Sequence, residues 1–288
     1  VISALEHHAN LLPWQQLAQR KGLSLVVLPL DADGVIDLDA AARLITPRTR
    51  LLAVSQLSNV LGVWQPLPAL LALAKAQNAL TVVDGAQGIV HGRHDVNALG
   101  CDFYVFSSHK LYGPDGVGVL FGRHGALARL QHWQFGGEMV QEADYQSATF
   151  RPAPLGFEAG TPPIAGVIGL GATLSYLSTL DQAAVAAHEG ALHTLLIDGL
   201  KQRQGLRLLG SPQLALVSFV VEGVHNADLA HLLTEQGIAV RAGHHCAMPL
   251  LKSFGLAGAI RVSLALYNDS QDIERFFDAL DQALELLR

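Results

Sequence analysis

Cysteine is nearly absent: Cys101 and Cys246 are the only two among 288 residues. Two thiols cannot build a disulfide framework, which points to a reducing compartment, the cytoplasm, rather than a secreted scaffold. Charge is also scarce. Lysine occupies five positions, charged residues make up 15% of the chain, and the net charge is -6. An acidic chain without a basic surface is excluded as a general nucleic-acid binder. No apolar run reaches the ~20 residues of a membrane span. No basic stretch followed by an apolar one marks a signal peptide. Hydrophobic residues, by contrast, form 50% of the sequence and mean hydropathy is +0.30. That excludes disorder and suffices for a large core in two domains. The chain opens on Val1 in what reads as a strand already under way, and the expectation is that a longer protein precedes it.

Short β-branched runs alternate with longer helical ones. Residues 23–28, 51–55, 80–83, 103–106 and 117–121 read as strands, and 68–77 as an Ala/Leu helix. Continuous apolar strands separated by helices indicate a parallel or mixed sheet covered on both faces. Ligands of such α/β sheets gather at the carboxyl ends of strands. His7-His8, Ser58-Asn59, Asp84 with Gln87, and Ser107 through Lys110 all fall at such ends. From residue 164 two helices follow, to 180 and from 182. Strands at 214–221, 239–241 and 260–264, a helix at 227–235, and a last helix capped by Asp269 complete the chain. The expected division is a large domain over 1–175 and a small α/β domain over 176–288.

Lys110 stands apart from the other lysines. It follows the apolar run Phe103-Tyr104-Val105-Phe106 in a loop rich in Ser, His and Gly. Burial there lowers an amine's pKa and frees it as a nucleophile toward an aldehyde; a lysine snorkelling from a loop gives the same local sequence. Asp84 closes the preceding strand. A carboxylate at that place holds a pyridinium N–H and makes pyridoxal an electron sink, or caps the next helix. Cys246 sits in Arg241-Ala242-Gly243-His244-His245-Cys246, where cationic neighbours favour a reactive thiolate; a buried inert cysteine after a strand is the other reading. Three consecutive side chains project in different directions and do not close one tetrahedral site, so no metal is expected at His244-His245-Cys246. Cys101, before an apolar strand, reads as core.

Five motifs stand in order: Glu6-His7-His8-Ala9-Asn10, Val83-Asp84-Gly85-Ala86-Gln87, Ser107-Ser108-His109-Lys110-Leu111-Tyr112-Gly113-Pro114, Glu158-Ala159-Gly160-Thr161-Pro162 and Arg241 through Cys246. Together they resemble the pyridoxal-phosphate-dependent cysteine desulfurases, in particular group II, which includes cysteine sulfinate desulfinases and selenocysteine lyases. The resemblance runs over essentially the whole chain. It implies fold type I of the pyridoxal-phosphate enzymes: a large domain with a mostly parallel sheet of seven-stranded type, and a smaller C-terminal α/β domain carrying the cysteine loop. It implies that Lys110 joins the cofactor aldehyde, Asp84 pairs with the ring nitrogen, Gln87 and Asn59 hydrogen-bond O3′, and His7 stacks on the ring and moves protons. Ser107 and His109 would bind the phosphate, and Thr161 would reach the phosphate of a neighbouring subunit, which makes the protein a homodimer. Arg261 would clamp the substrate carboxylate, with Arg241 helping to orient it.

The implied reaction takes sulfur from L-cysteine, leaving L-alanine and a Cys246 persulfide that passes to an acceptor protein, as in iron–sulfur cluster assembly. Cysteine sulfinate and selenocysteine are alternative substrates whose leaving groups need Cys246 less. A non-catalytic partner on the same scaffold is a further alternative. An aminotransferase of this fold gives no reason for the Cys246 loop. The family usually carries a Gly-Thr-Thr-type phosphate loop before the Glu-His-His motif, and it often has Gly where Ser107-Ser108 stands.

Overall fold

The computed structural model describes all 288 residues. Six strands form the main sheet: β1 (Ile2–Ser3), β2 (Val27–Leu28), β3 (Leu51–Ser55), β4 (Leu80–Asp84), β5 (Phe103–Ser107) and β6 (Gly118–Gly122), in the order β2-β1-β3-β4-β5-β6. Every neighbouring pair is parallel except β5–β6. The mostly parallel sheet expected from the sequence is present. It has six strands where seven were expected, because no other segment of the chain hydrogen-bonds to its edges. The run at 23–28 contributes only its last two residues, although Val26 still accepts the Ile2 N–H at 2.9 Å.

Helices cover this sheet: α1 (His8–Lys21), α2 (Leu38–Leu44), α3 (Leu67–Ala76), α4 (Val96–Leu99) and α5 (His124–Leu127). The inward stripe of α3 is Leu67, Leu70, Leu71 and Ala74, at helical spacing, and all four are buried. Each such leucine withdrawn from water stabilises the fold by about 1.5–3 kcal/mol. Between the two regions lie a hairpin of β7 (Val140–Ala143) and β8 (Ala148–Phe150), which strand propensity alone did not reveal, and α6 (Ile164–Thr179). A division after residue 175 falls inside α6, which runs unbroken to Thr179; the chain then turns by 87° into α7 (Gln182–Lys201). No single helix is long and apolar enough to cross a membrane.

The C-terminal region is an antiparallel sheet ordered β11-β12-β10-β9, made of β9 (Leu206–Leu208), β10 (Leu216–Val221), β11 (Arg241–Gly243) and β12 (Ala259–Ser263). It is packed by α7, α8 (Asn226–Glu235) and α10 (Ser270–Leu287), while the short α9 (Met248–Ser253) sends Leu250 and Leu251 into the core of the main sheet. Asp269 caps α10 through a capping box with Asp272. Ile273, Phe276, Leu280 and Leu284 face the core from α10. Phe277 is only half-buried, under the Arg203 guanidinium at 4.0 Å. The strand expected at 239–241 begins at Arg241 and runs to Gly243.

The two sheets meet through the turn that follows β3. Ser218 Oγ on β10 donates to the Val60 carbonyl at 2.6 Å, and Gln213 N donates to Gly62 O at 2.9 Å. Gly62 has φ +62°, and a Cβ there would stand 2.2 Å from the Leu216 carbonyl oxygen. Only glycine permits that approach. Gly62→Ala should therefore lower unfolding stability by roughly 1–3 kcal/mol, read as a lower urea midpoint at an unchanged denaturant slope.

Candidate active site

Register puts the polar strand ends side by side. Ser55 pairs with Asp84, and Asp84 with Val105, so β3, β4 and β5 end at nearly the same level. Beyond those ends come Asn59, Gln87 and the turn Ser108–Leu111 that carries Lys110. The Lys110 amine is half-buried and makes no hydrogen bond or ion pair within the chain. Its pKa is lowered, first by burial, and also by the charges of Arg261 and Arg241, while Asp84 and Cys246 oppose the shift. The acid, the thiol and both arginines thus all stand near enough to act on the Lys110 amine.

Asp84 accepts the Ala86 N–H on Oδ1 at 2.9 Å, which leaves Oδ2 without a partner in the chain. Asp84 does not cap the next helical turn, whose N-cap is Gln87; its one bond closes a local turn, and the second oxygen is left free. Gly85 lies flat against Tyr104: an added Cβ would meet the ring at 1.9 Å. Gln87 opens the following 3-10 turn, and its side chain has no partner in the chain. Ser108 Oγ is buried with no hydrogen bond, between the expected phosphate residues Ser107 and His109 in the chain. His109 itself is exposed.

His7 is the N-cap of α1. Its Nδ1 accepts the Ala9 N–H at 3.0 Å, so the neutral ring carries its proton on Nε2. Burial and the Lys110 charge hold its pKa low, against an opposing pull from Asp84. Sequence reasoning missed what fixes this segment. Glu6 is buried and accepts from Ser3 Oγ, from Ser55 N at 3.1 Å, from Ser55 Oγ at 2.6 Å and from Asn10 Nδ2 at 2.7 Å. Asn10 Oδ1 in turn takes the Trp14 indole N–H at 3.0 Å. The i, i+4 spacing of Glu6, Asn10 and Trp14 was the available signal. Burial pushes the Glu6 carboxyl up to about 7.

On the second sheet, Arg241 and Arg261 are directly opposite in the β11–β12 register. Like charges so paired repel, and an anion between them offsets that cost. Arg261 is anchored by Nη1 donating to Asn59 O at 2.9 Å and Nε donating to Ser263 Oγ at 3.1 Å. Asn59, expected to serve O3′, commits one side-chain N–H to His245 O at 2.8 Å. It joins the arginine to the cysteine turn.

That turn is held under strain. His245 and Cys246 have φ of +51° and +54°, a region in which each non-glycine residue costs on the order of 1–3 kcal/mol. The bond from Asn59 holds it on one side, and His8 N donating to Cys246 O at 2.6 Å holds it on the other. His245 is buried, its Nε2 against Ala259 O at 3.1 Å, and burial depresses its pKa to about 4. Cys246 is half-buried, and Cys101 is fully buried as core. Thr161 lies apart from all of these on the exposed surface before α6.

The two buried titrating groups act on stability in opposite directions. Glu6 binds a proton more readily folded than unfolded, so its contribution falls as pH rises from 4.5 to about 7. His245 binds one less readily when folded, so its contribution is lost as pH falls from 6.5 toward about 4. Glu6→Gln should remove the first slope and leave the second, so that the variant loses stability on acidification more steeply than the parent; urea midpoints across pH 4 to 7 check it.

The aminotransferase class-V family profile matches residues 1–276. A probable cysteine desulfurase of Pseudomonas putida is 79% identical over 287 residues, which span 100% of this chain and 72% of the relative. The cysteine desulfurase CsdA of Escherichia coli is 45% identical over 287 residues, again 100% of this chain and 72% of that protein. The crystal structure of Escherichia coli CsdA in an S-sulfonic acid form superposes with a TM-score of 0.97 at 45% identity, covering 100% of this chain and 72% of that one. On the profile match and these identities, the chain belongs to the aminotransferase class-V family.

Proposed function

We propose that this chain is a pyridoxal-phosphate-dependent cysteine desulfurase that acts on L-cysteine as a homodimer. The observation that carries the reading is the coupling of an unpartnered, desolvated Lys110 amine to Asp84 on one side and to Cys246, Arg261 and Arg241 on the other. The donor set fits the cofactor. Asp84 offers a free carboxylate oxygen for a ring nitrogen, Gln87 a free amide, Gly85 a backbone with no side chain in the way, and Ser108 an orphaned buried hydroxyl in the phosphate-binding turn. Bound pyridoxal phosphate supplies an aldehyde for amines and a ring that draws electron density from Cα.

In this reading Lys110 would hold the cofactor through its aldehyde, and its amine, lowered in pKa, would serve as the base for the Cα proton. Asp84 would hold the cofactor's ring nitrogen. His7 moves a proton through Nε2. Arg261 receives the substrate carboxylate, and Arg241 repels any cation from that place. Cys246 Sγ would attack the substrate sulfur: the persulfide S–S bond forms as the substrate C–S bond breaks, the bonding pair stays on carbon and is protonated to give alanine, and an acceptor protein's thiol then takes the outer sulfur. Ser107, His109 and Gln87 belong to the cofactor's surroundings. For Asn59, the bonds to Arg261 and His245 support a role in aligning the carboxylate clamp with the nucleophile. Support for the dimer comes from α6, a helix whose Ile164, Val167, Ile168 and Tyr176 are 49–68% exposed immediately after Thr161. An apolar face of that size marks an interaction surface, and Thr161 on its rim is offered to a second copy.

Lys110→Ala, in chain supplied with pyridoxal phosphate, should lose the visible absorption band and all alanine formation. Cys246→Ala should retain the band but form no sulfide or alanine from cysteine; undiminished desulfuration would remove the thiol from the mechanism. Ile168→Asp should shift the sedimenting species from dimer to monomer.

A further inference from the structure

Three donor side chains converge on the mouth of the cysteine turn. His8 comes from the first turn of α1, His244 and Cys246 from the segment after β11, and one ligand atom from each lies within 4.8 Å of the others. The two imidazole rings are 5.5 Å apart and inclined by 34°. In the sequence the neighbouring donors are the consecutive run His244-His245-Cys246. The fold does turn His245 away, into the core against Ala259, but it substitutes His8, which lies 238 positions before Cys246 in the chain.

We infer that His8, His244 and Cys246 form a three-ligand site for a zinc ion, which on binding caps the thiol and reversibly silences it. Two histidines and one thiolate with a fourth position open to solvent is a ligand set zinc accepts. The segments that carry the ligands are already locked together, by His8 N donating to Cys246 O at 2.6 Å. Both rings also present lone pairs to this turn: His244 Nδ1 accepts the Cys246 N–H at 3.0 Å, and His8 Nε2 accepts the Met248 N–H at 3.3 Å. A cation that takes those lone pairs gives up two backbone contacts, one of them long, for bonds of about 2.0–2.3 Å. Tetrahedral closure needs the donors roughly an ångström nearer one another than they stand, a shift within reach of an exposed His244 side chain. The chemistry balances without a redox partner: an S–Zn bond forms, the Cys246 S–H bond breaks, and one proton goes to solvent. The inhibitory consequence rests on the proposed role of Cys246; the binding does not.

The test titrates zinc into the full chain carrying its cofactor, against a chromophoric chelator. The expected result is one zinc per chain, with one proton released, and affinity at least tenfold weaker in Cys246→Ser, His8→Gln and His244→Gln. Retention of the cofactor band in each variant shows that it is folded. Stoichiometric zinc should stop alanine formation from cysteine in the parent, chelator should restore it, and His244→Gln should resist. Zinc affinity unchanged by both histidine variants, or no binding above that of Cys246→Ser, overturns the site. A parent that binds zinc as described but forms no alanine without it leaves the site standing and fails the desulfurase reading instead.

Discussion

Everything at this site depends on taking one amine out of water beside a carboxylate without letting the two close into an ion pair. Lys110 and Asp84 stand on neighbouring strand ends, near enough for each charge to be felt by the other, yet neither side chain has the other as a hydrogen-bond partner. A closed pair would fix the amine as a cation and use up the acid. Held apart, and with two guanidiniums adding positive potential, the amine is biased toward its neutral, reactive form. A parallel sheet supplies that spacing directly, because adjacent strands fix their ends about 4.8 Å apart and in register.

The second constraint is the bridge between sheets. Asn59 uses its backbone carbonyl for Arg261 and its side chain for His245, so one residue after β3 sets both the guanidinium and the cysteine turn relative to the strand ends. Glu6 does the same for the histidine segment, tying it to Ser55 at the end of β3. Thiol, histidine and arginine are therefore all referenced to the same short stretch, residues 55–62. The backbone strain at His245 and Cys246 is sustained by these bonds. A turn so over-determined presents its thiol in one place, as the proposed attack on a sulfur held by Arg261 requires.

The strands at 51–55 and 80–84 were legible because each is a short apolar run closed by a polar residue, and the last helix because its cap and apolar stripe agree. The hairpin at 140–150 was not, since its residues are mostly exposed and carry no alternating pattern. Lys110, Asp84 and Cys246 were legible because scarcity and position single them out. Glu6 and His8 were passed over although both lie in a quoted motif: their partners are Ser55 and Cys246, far along the chain.

The sequence by itself determined the class of sheet and which polar side chains stand at its strand ends, because these are local patterns of burial and turn formation. Tertiary structure alone decided which arginine faces which, that Asn59 bonds both Arg261 and the cysteine turn, and that His8 rather than His245 accompanies His244 and Cys246. Those are contacts between residues dozens to hundreds of positions apart, and only the packing of the second sheet onto the turn after β3 brings them within hydrogen-bonding range.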